Sequence, residues 1–404
     1  MHFGFKILLY IFYFINIIVA FYFLLPVALF LLHYISGAFR HKALSKYPAI
    51  STKMNDFAAI VTAHQDLRFI APLVDSFLKQ TYRNFTLYIV ADDCTEILSF
   101  DDPRIIVLYP PTALNSKIKS TQYAIDNFTK TPDVLIIFDS DNLIHPAYLE
   151  NLNKYFQAGF QVVQTHMLSK NIDNTYARLD SIGHIYYTFY ERQVKMHLKM
   201  SSAILGLGIA LDFSLYKEIN YHNTVGGFDK KLQSQLGRRV KQIGFAEDAI
   251  VYDEKVEDAA VLEKQRTRWI YSYFHHFKEG WLLLWSGVRY KSIGRFLLGT
   301  SMLRPPMILL VMAMITLILA WLFINPAMAL WWAVLIIVYL VNFVLTIATQ
   351  SKQKGMVQSI KHIPLIMLSQ AKSLMKLKKA RQNFLKTEHK KIIYIDELLK
   401  NDHT

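Results

Sequence analysis

The chain alternates between two hydrophobic patterns. From Ile7 to Ile35 there is no Lys, Arg, Asp or Glu, and two further uncharged runs, Pro305 to Ile324 and Ala327 to Thr349, surround the turn residues Asn325 and Pro326. A bilayer-crossing helix needs about 20 apolar residues, so the first run predicts one span and the later pair a helical hairpin. A cleaved leader is the rival reading of the first run, but its apolar core would be only about 7–15 residues long. Pro26 inside that run predicts either a kink or a break between two shorter elements.

The middle of the chain reads differently. Phe57-Ala-Ala-Ile-Val-Thr62, Leu87-Tyr-Ile-Val-Ala91, Ile105-Ile-Val-Leu108 and Val134-Leu-Ile-Ile-Phe138 are short apolar runs of strand length. Between them lie helical patterns through Leu73, Phe77 and Leu78 and around Thr121 to Phe128. Buried strands interleaved with helices predict an α/β domain with a mainly parallel sheet, in which ligands gather at the carboxyl ends of the strands. Two of these runs end at acids, Asp92-Asp93 and Asp139. The expected organisation is a membrane helix over 1–36, an α/β domain over 37–280, an interfacial segment over 281–304, a membrane hairpin over 305–350 and a basic tail over 351–404. Neither a repeat nor a low-complexity tract interrupts it.

Charge refines the picture. Forty-five Lys and Arg face thirty-one Asp and Glu, a net charge of +14, which nucleic acid, anionic lipid or membrane flanks can each explain. Twelve Lys or Arg against four acids lie in residues 351–404. Arg40, His41, Lys42 and Lys46 follow the first run, and Arg289, Lys291, Arg295 and Arg304 precede the second. Basic flanks on one consistent side put the middle domain in the cytoplasm, at an inner membrane, and make a nucleic-acid partner unnecessary. Trp281 to Trp285 and Pro364 to Leu368 suggest helices in the membrane interface, or helices packed on the domain. The single cysteine, Cys94, excludes an intrachain disulfide framework and a multi-cysteine zinc site.

Asp139-Ser-Asp141 places two carboxylates at i and i+2, on the same side of an extended backbone. Two hard oxygen ligands with open positions suit Mg²⁺ or Mn²⁺ shared with substrate phosphates, while a solvated turn is the plainer reading. Gln265, Arg268 and Trp269 occupy i, i+3 and i+4, one face of a helix. There an arginine fork can pair with a diphosphate and an indole can stack on a sugar, or both can anchor the chain at an interface.

In the order Asp92-Asp93, Lys117, Asp139-Ser-Asp141 and Gln265-Arg-Thr-Arg-Trp269, the chain resembles the family 2 glycosyltransferases, specifically the membrane-bound branch with the cellulose, chitin and hyaluronan synthases. The resemblance implies a GT-A fold, a nucleotide-sugar donor, a divalent metal and inversion at the anomeric carbon. It implies that Ala63 and Asp66, in the loop after the first strand, border the nucleoside. Asp93, with Asp92 as the alternative, would accept from the base, Lys117 would face the diphosphate, Asp139 would lie nearer the ribose and Asp141 nearer the metal. Gly206 and Gly208 match a small-residue loop near the acceptor, as a structural turn also would. Gln265, Arg268 and Trp269 would serve acceptor and diphosphate.

For the base that takes the acceptor proton the family carries Thr-Glu-Asp. Here Val225-Gly-Gly-Phe-Asp229 keeps the acid and has Phe228 where the Glu would stand. Asp229 precedes Gln265 by 36 positions, whereas the rival Asp248, after Glu247, precedes it by 17 and runs into a strand. Asp229 is preferred. The reading is an inverting transferase acting on a saccharide or lipid-linked acceptor among membrane lipids, with repeated or single addition and oligomeric state left open. The alternative is a catalytically weak scaffold in envelope polysaccharide assembly. Phe384-Leu-Lys-Thr-Glu-His389 resembles a tail segment of bacterial members.

Overall fold

A computed structural model describes residues 2–219, 228–351, 353–375 and 390–401; Phe384 to His389 and the Val225-Gly-Gly portion before Phe228 lie outside the described residues. Eight strands form one sheet in the order β3-β2-β1-β4-β7-β6-β8-β5. They are β1 (Phe57–His64), β2 (Phe85–Asp92), β3 (Ile105–Leu108), β4 (Val134–Asp139), β5 (Leu143–Ile144), β6 (Val162–Ser169), β7 (Ile209–Asp212) and β8 (Gly244–Asp253). The half containing β3, β2, β1 and β4 is parallel, as the pattern predicts. Beyond it β7 runs antiparallel to both β4 and β6, so the sheet is mixed.

Alternation within the apolar runs explains why they must be strands buried on both faces. Phe57, Ala59, Val61 and Ala63 of β1 join one core, with Leu87 and Ile89 of β2 and Ile136 and Phe138 of β4. Ala58 and Ile60 point the other way, into a second core with Tyr88, Val90, Leu135 and Ile137. Helices Ile70–Leu78 and Tyr148–Gln157 cover the first face, and Lys117–Asp126 and Phe228–Arg239 the second. The helix expected around Thr121 begins four residues earlier, because Ser116 caps it by accepting from Lys119 N.

The three apolar runs are helices, His2–Ile35, Met307–Ile324 and Pro326–Gln350, each long and apolar enough to cross a membrane. The first continues through Pro26 without a break. Asn16 Oδ1 accepts from the indole N–H groups of Trp321 and Trp332 at 2.8 and 3.2 Å, a polar clasp where little else drives helices together. Tyr186 Oη lies 3.1 Å from Tyr339 Oη, and Tyr190 Oη lies 2.7 Å from Thr346 Oγ1, so the helix Thr175–Thr188 and its π-helical continuation Phe189–Gln193 tie the sheet domain to the last span.

Between domain and spans, helices Phe277–Arg289 and Ile293–Leu303 pack as a hairpin. A Cβ at Gly299 would lie 2.4 Å from Leu284 N, so only glycine lets the two backbones approach this closely. The outer side leaves Phe277, Trp281, Trp285 and Val288 exposed at helical spacing. Helix Ile363–Met375 packs on the domain through Ser373 Oγ, which donates to Glu263 O, and leaves Leu365 and Leu368 exposed.

Candidate active site

Strand register brings the acids to one edge. His64 lies opposite Asp92, and Thr62 opposite Asp139, at the carboxyl ends of three adjacent parallel strands. Asp92 is 2% exposed; it accepts from Leu114 N at 2.7 Å and Asn115 N at 2.9 Å, with His64 Nδ1 3.0 Å away. That carboxylate shapes the loop leading to Lys117 rather than facing solvent. Asp93, by contrast, is exposed, held in a left-handed backbone (φ 54°) with Gln65 Nε2 donating to it at 2.6 Å. Of the two, Asp93 is the one open to a ligand, and Gln65, which the sequence reading passed over, aims it. Ala63 is buried in β1 beside Ala91, and Asp66 is engaged by the guanidinium of Arg68.

Lys117, at the start of its helix, donates from Nζ to Asp139 Oδ1 at 2.5 Å and to Gly206 O at 2.8 Å. Asp139 keeps 41% of its side chain exposed, so the pair stands at an open rim. Asn142 fixes the turn that follows: its amide oxygen accepts from Asp139 N at 2.9 Å and its amide nitrogen reaches Asp253 at 3.3 Å. Asp141 turns inward, 2% exposed, and accepts from Glu254 N at 3.3 Å, while its carbonyl accepts from Lys170 Nζ.

The helix Phe228–Arg239 brings its first turn to the same rim. The Phe228 ring lies under Lys117 Nζ at 5.5 Å and within van der Waals reach of a side chain at Gly206. Burial pulls the Arg268 guanidinium below the usual arginine range, and Asp139 and Asp229 act against that shift. One cation thus feels both carboxylates. Arg192, in the π-helical segment, is drawn down to about 10 by burial, with Glu191 and Asp229 opposing. Lys117, Asp139, Gly206, Asp229 and Arg268, drawn from five separate stretches of chain, therefore share one neighbourhood.

Other residues of the pattern serve differently. Glu247 accepts from Ala43 N at 3.0 Å with His197 Nε2 3.1 Å away, and Asp248 pairs with Lys42. Both face the segment leaving the first membrane helix. On the helix Ala259–His275, Gln265 Oε1 is enclosed without a hydrogen-bond partner among the described residues. Arg266 pairs with Asp180 at 2.5 Å and lies over the Trp269 ring at 4.2 Å, leaving that indole 48% exposed. Gly208 has a structural reason to be glycine: its φ is +63°, and a Cβ there would come within 2.4 Å of Thr165 Oγ1. Gly208→Ala is expected to lower stability by about 2–4 kcal/mol, whereas Gly206→Ala, 3.6 Å from the Phe228 ring, meets only ordinary contact. Melting of the purified full chain in detergent checks this contrast.

The mannosyltransferase PcManGT from Pyrobaculum calidifontis, solved in complex with GDP-Man and Mn²⁺, superposes with a TM-score of 0.53 at 14% identity, over 88% of this chain and 98% of that one. S. aureus TarS 1–349 in complex with UDP-GlcNAc gives a weaker likeness, with a TM-score of 0.37 at 13% identity over 60% of this chain and 89% of that one. No curated protein matches the chain. The fold is thus a GT-A-type α/β arrangement with apolar helices at both ends. The family model described as "Glycosyltransferase like family 2" matches residues 55–272, which hold the whole rim from Asp92 to Trp269, and by that match over more than half of its length the chain belongs to this family.

Proposed function

We propose that the protein is a membrane-anchored, inverting glycosyltransferase of the branch resembling the cellulose, chitin and hyaluronan synthases. It moves a sugar from a nucleoside diphosphate, expected to be UDP, to a hydroxyl of a saccharide or lipid-linked acceptor at the cytoplasmic membrane face. The observation that carries the reading is the shared neighbourhood of Asp229, Arg268, Asp139 and Lys117 at the carboxyl edge of the sheet. Asp229 removes the acceptor proton as the hydroxyl attacks the anomeric carbon, and the diphosphate leaves from the opposite face. Lys117 and Arg268 receive the charge that grows on the departing diphosphate, in fixed positions and a partly enclosed site where such charge is most strongly stabilised. Asp93 is the polar group offered to the base, and Trp269 the exposed apolar face offered to the acceptor sugar.

The family's divalent cation meets one exposed carboxylate at this rim. Asp139 keeps a hard oxygen open there, whereas Asp141, expected on the same side, follows a turn and points inward to Glu254 N, and no group of three His, Cys, Asp or Glu stands together among the described residues. That donor set suits Mg²⁺ or Mn²⁺ completed by the donor's own phosphates rather than held in a protein cage. Bound there, the ion supplies Lewis-acid neutralisation of the diphosphate.

A screen of nucleotide sugars for release of nucleoside diphosphate by the purified full chain tests the reading. Release from one donor is expected, falling at least about 100-fold on chelation and returning with Mn²⁺ or Mg²⁺. Phe228, where an acid would stand in the family, favours a second reading, a protein that keeps the fold but turns over weakly. Absence of release with every donor would select it.

A further inference from the structure

Charged groups buried beneath the interfacial hairpin are out of balance. The π-helical segment buries two neighbouring charged side chains: Arg192 donates from Nε to Ala203 O, and Glu191 lines a cleft beside the first membrane helix. Glu191 accepts from Lys195 Nζ at 2.6 Å and from the Ser301 hydroxyl, and Arg304 Nη1 stands 3.9 Å from its other oxygen. The three charged side chains are 2% (Lys195), 12% (Glu191) and 7% (Arg304) exposed, so two cations share a single carboxylate. The guanidinium of Arg304 stands 5.7 and 5.8 Å from the Tyr186 and Tyr187 rings, while its Nε and Nη2 are enclosed and have no hydrogen-bond partner among the described residues. Enclosed donors of a charged group left unpaired are costly, and an anion would remove that cost.

The same guanidinium lines a partly open cleft whose apolar wall is Tyr22, Leu25, Pro26 and Leu29 of the first membrane helix. The inner void is about 10 Å³, room for one oxygen atom rather than a whole headgroup. A cationic fork at the floor and a membrane helix as wall suit an amphiphile that inserts a phosphate oxygen and lays its chain along the helix. The cleft also stands close to the acceptor side of the rim. Along helix Thr175–Thr188, Asp180 meets Arg266, which covers Trp269, and the Tyr186 ring, 5.7 Å from Arg304, follows six residues later. That separation is about 9 Å at helical rise. Tyr273, one turn beyond Trp269, donates to Leu303 O at 3.0 Å.

We propose that Arg304 seats a phosphate oxygen of a membrane lipid phosphate and that this lipid carries the acceptor, the second half resting on the transferase reading. Native mass spectrometry of the purified full chain, incubated with equal amounts of phosphatidic acid and diacylglycerol of the same acyl chains, reads the site directly. Phosphatidic acid is expected to be retained at least tenfold over the neutral lipid, with Arg304→Gln bringing the ratio near one in protein that still melts cooperatively. Equal retention by the unaltered chain overturns the site whether or not the variant folds. So does complete displacement of the lipid by millimolar inorganic phosphate, which would make free phosphate the ligand. For the acceptor half, phosphatidylcholine vesicles with and without a sugar-bearing polyprenyl phosphate, whose free sugar hydroxyl is the nucleophile, are supplied with a labelled donor that the chain turns over. Label entering the lipid phase only when the polyprenyl phosphate is present supports it; label in water-soluble product alone, with phosphatidic acid still retained, makes the lipid a bystander and overturns it. If no donor is turned over, the transferase reading falls and takes the acceptor half with it, while lipid retention still decides the site.

Discussion

Asp229→Asn is expected to lower sugar transfer by about 10²–10⁴-fold, the usual contribution of a positioned general base. The amide keeps the shape of the side chain and its hydrogen-bonding reach but cannot take a proton, so kcat should carry the loss and donor KM should stay close to the original. Asp229 sits in the first turn of a helix that is anchored by Leu232 and Leu236, both fully buried, so the substitution leaves the packing intact. Single-turnover transfer with saturating donor measures the effect. Full turnover by the variant would remove Asp229 from the reaction, and a parallel Asp248→Asn, expected to have little effect on chemistry, guards against the wrong acid having been chosen. Asp248 pairs with Lys42 and accepts from Tyr155 Oη.

Arg268→Gln is expected to cost about 10²–10³-fold in kcat, the loss seen when one fixed donor to a developing negative charge is removed. The physical reason is that the buried guanidinium feels the charges of both Asp139 and Asp229. A neutral amide there leaves both carboxylates with less compensation, which opposes entry of a diphosphate as well as its departure. Donor KM should therefore rise along with the fall in kcat, unlike the Asp229 variant. Arg268→Lys should recover part of the loss, because it restores charge without the two-pronged geometry. Steady-state kinetics on both variants separates the terms; an unchanged kcat in Arg268→Gln would assign the diphosphate to Lys117 alone.

The strands β1 to β4 were legible because their alternation is a local property: every second residue of Phe57–Ala63 enters the same core. The antiparallel insertion of β7 was not, since Ile209 to Asp212 is too short to announce its direction, which is set by pairing with β4 and β6. Asp92 and Asp93 show the same limit within the rim. Adjacent in sequence and identical in chemistry, they separate only when the backbone turns left-handed at Asp93, sending one carboxylate into the loop amides and the other outward. Gly206 and Gly208 likewise separate only through their neighbours, Phe228 for one and Thr165 for the other.

By itself the sequence determined three apolar helices around an α/β domain and the order of the acids, because hydrophobic periodicity, strand length and charge are written over a few residues at a time. Only the tertiary structure decided that Lys117 bridges Asp139 and Gly206 while Arg268 feels Asp139 and Asp229, that Glu247 and Asp248 bond the segment after the first apolar helix, and that Arg304 is enclosed with donors to spare. Those outcomes rest on contacts between stretches far apart in the chain, whose closeness depends on how the sheet orders its strands and how the spans pack beneath it.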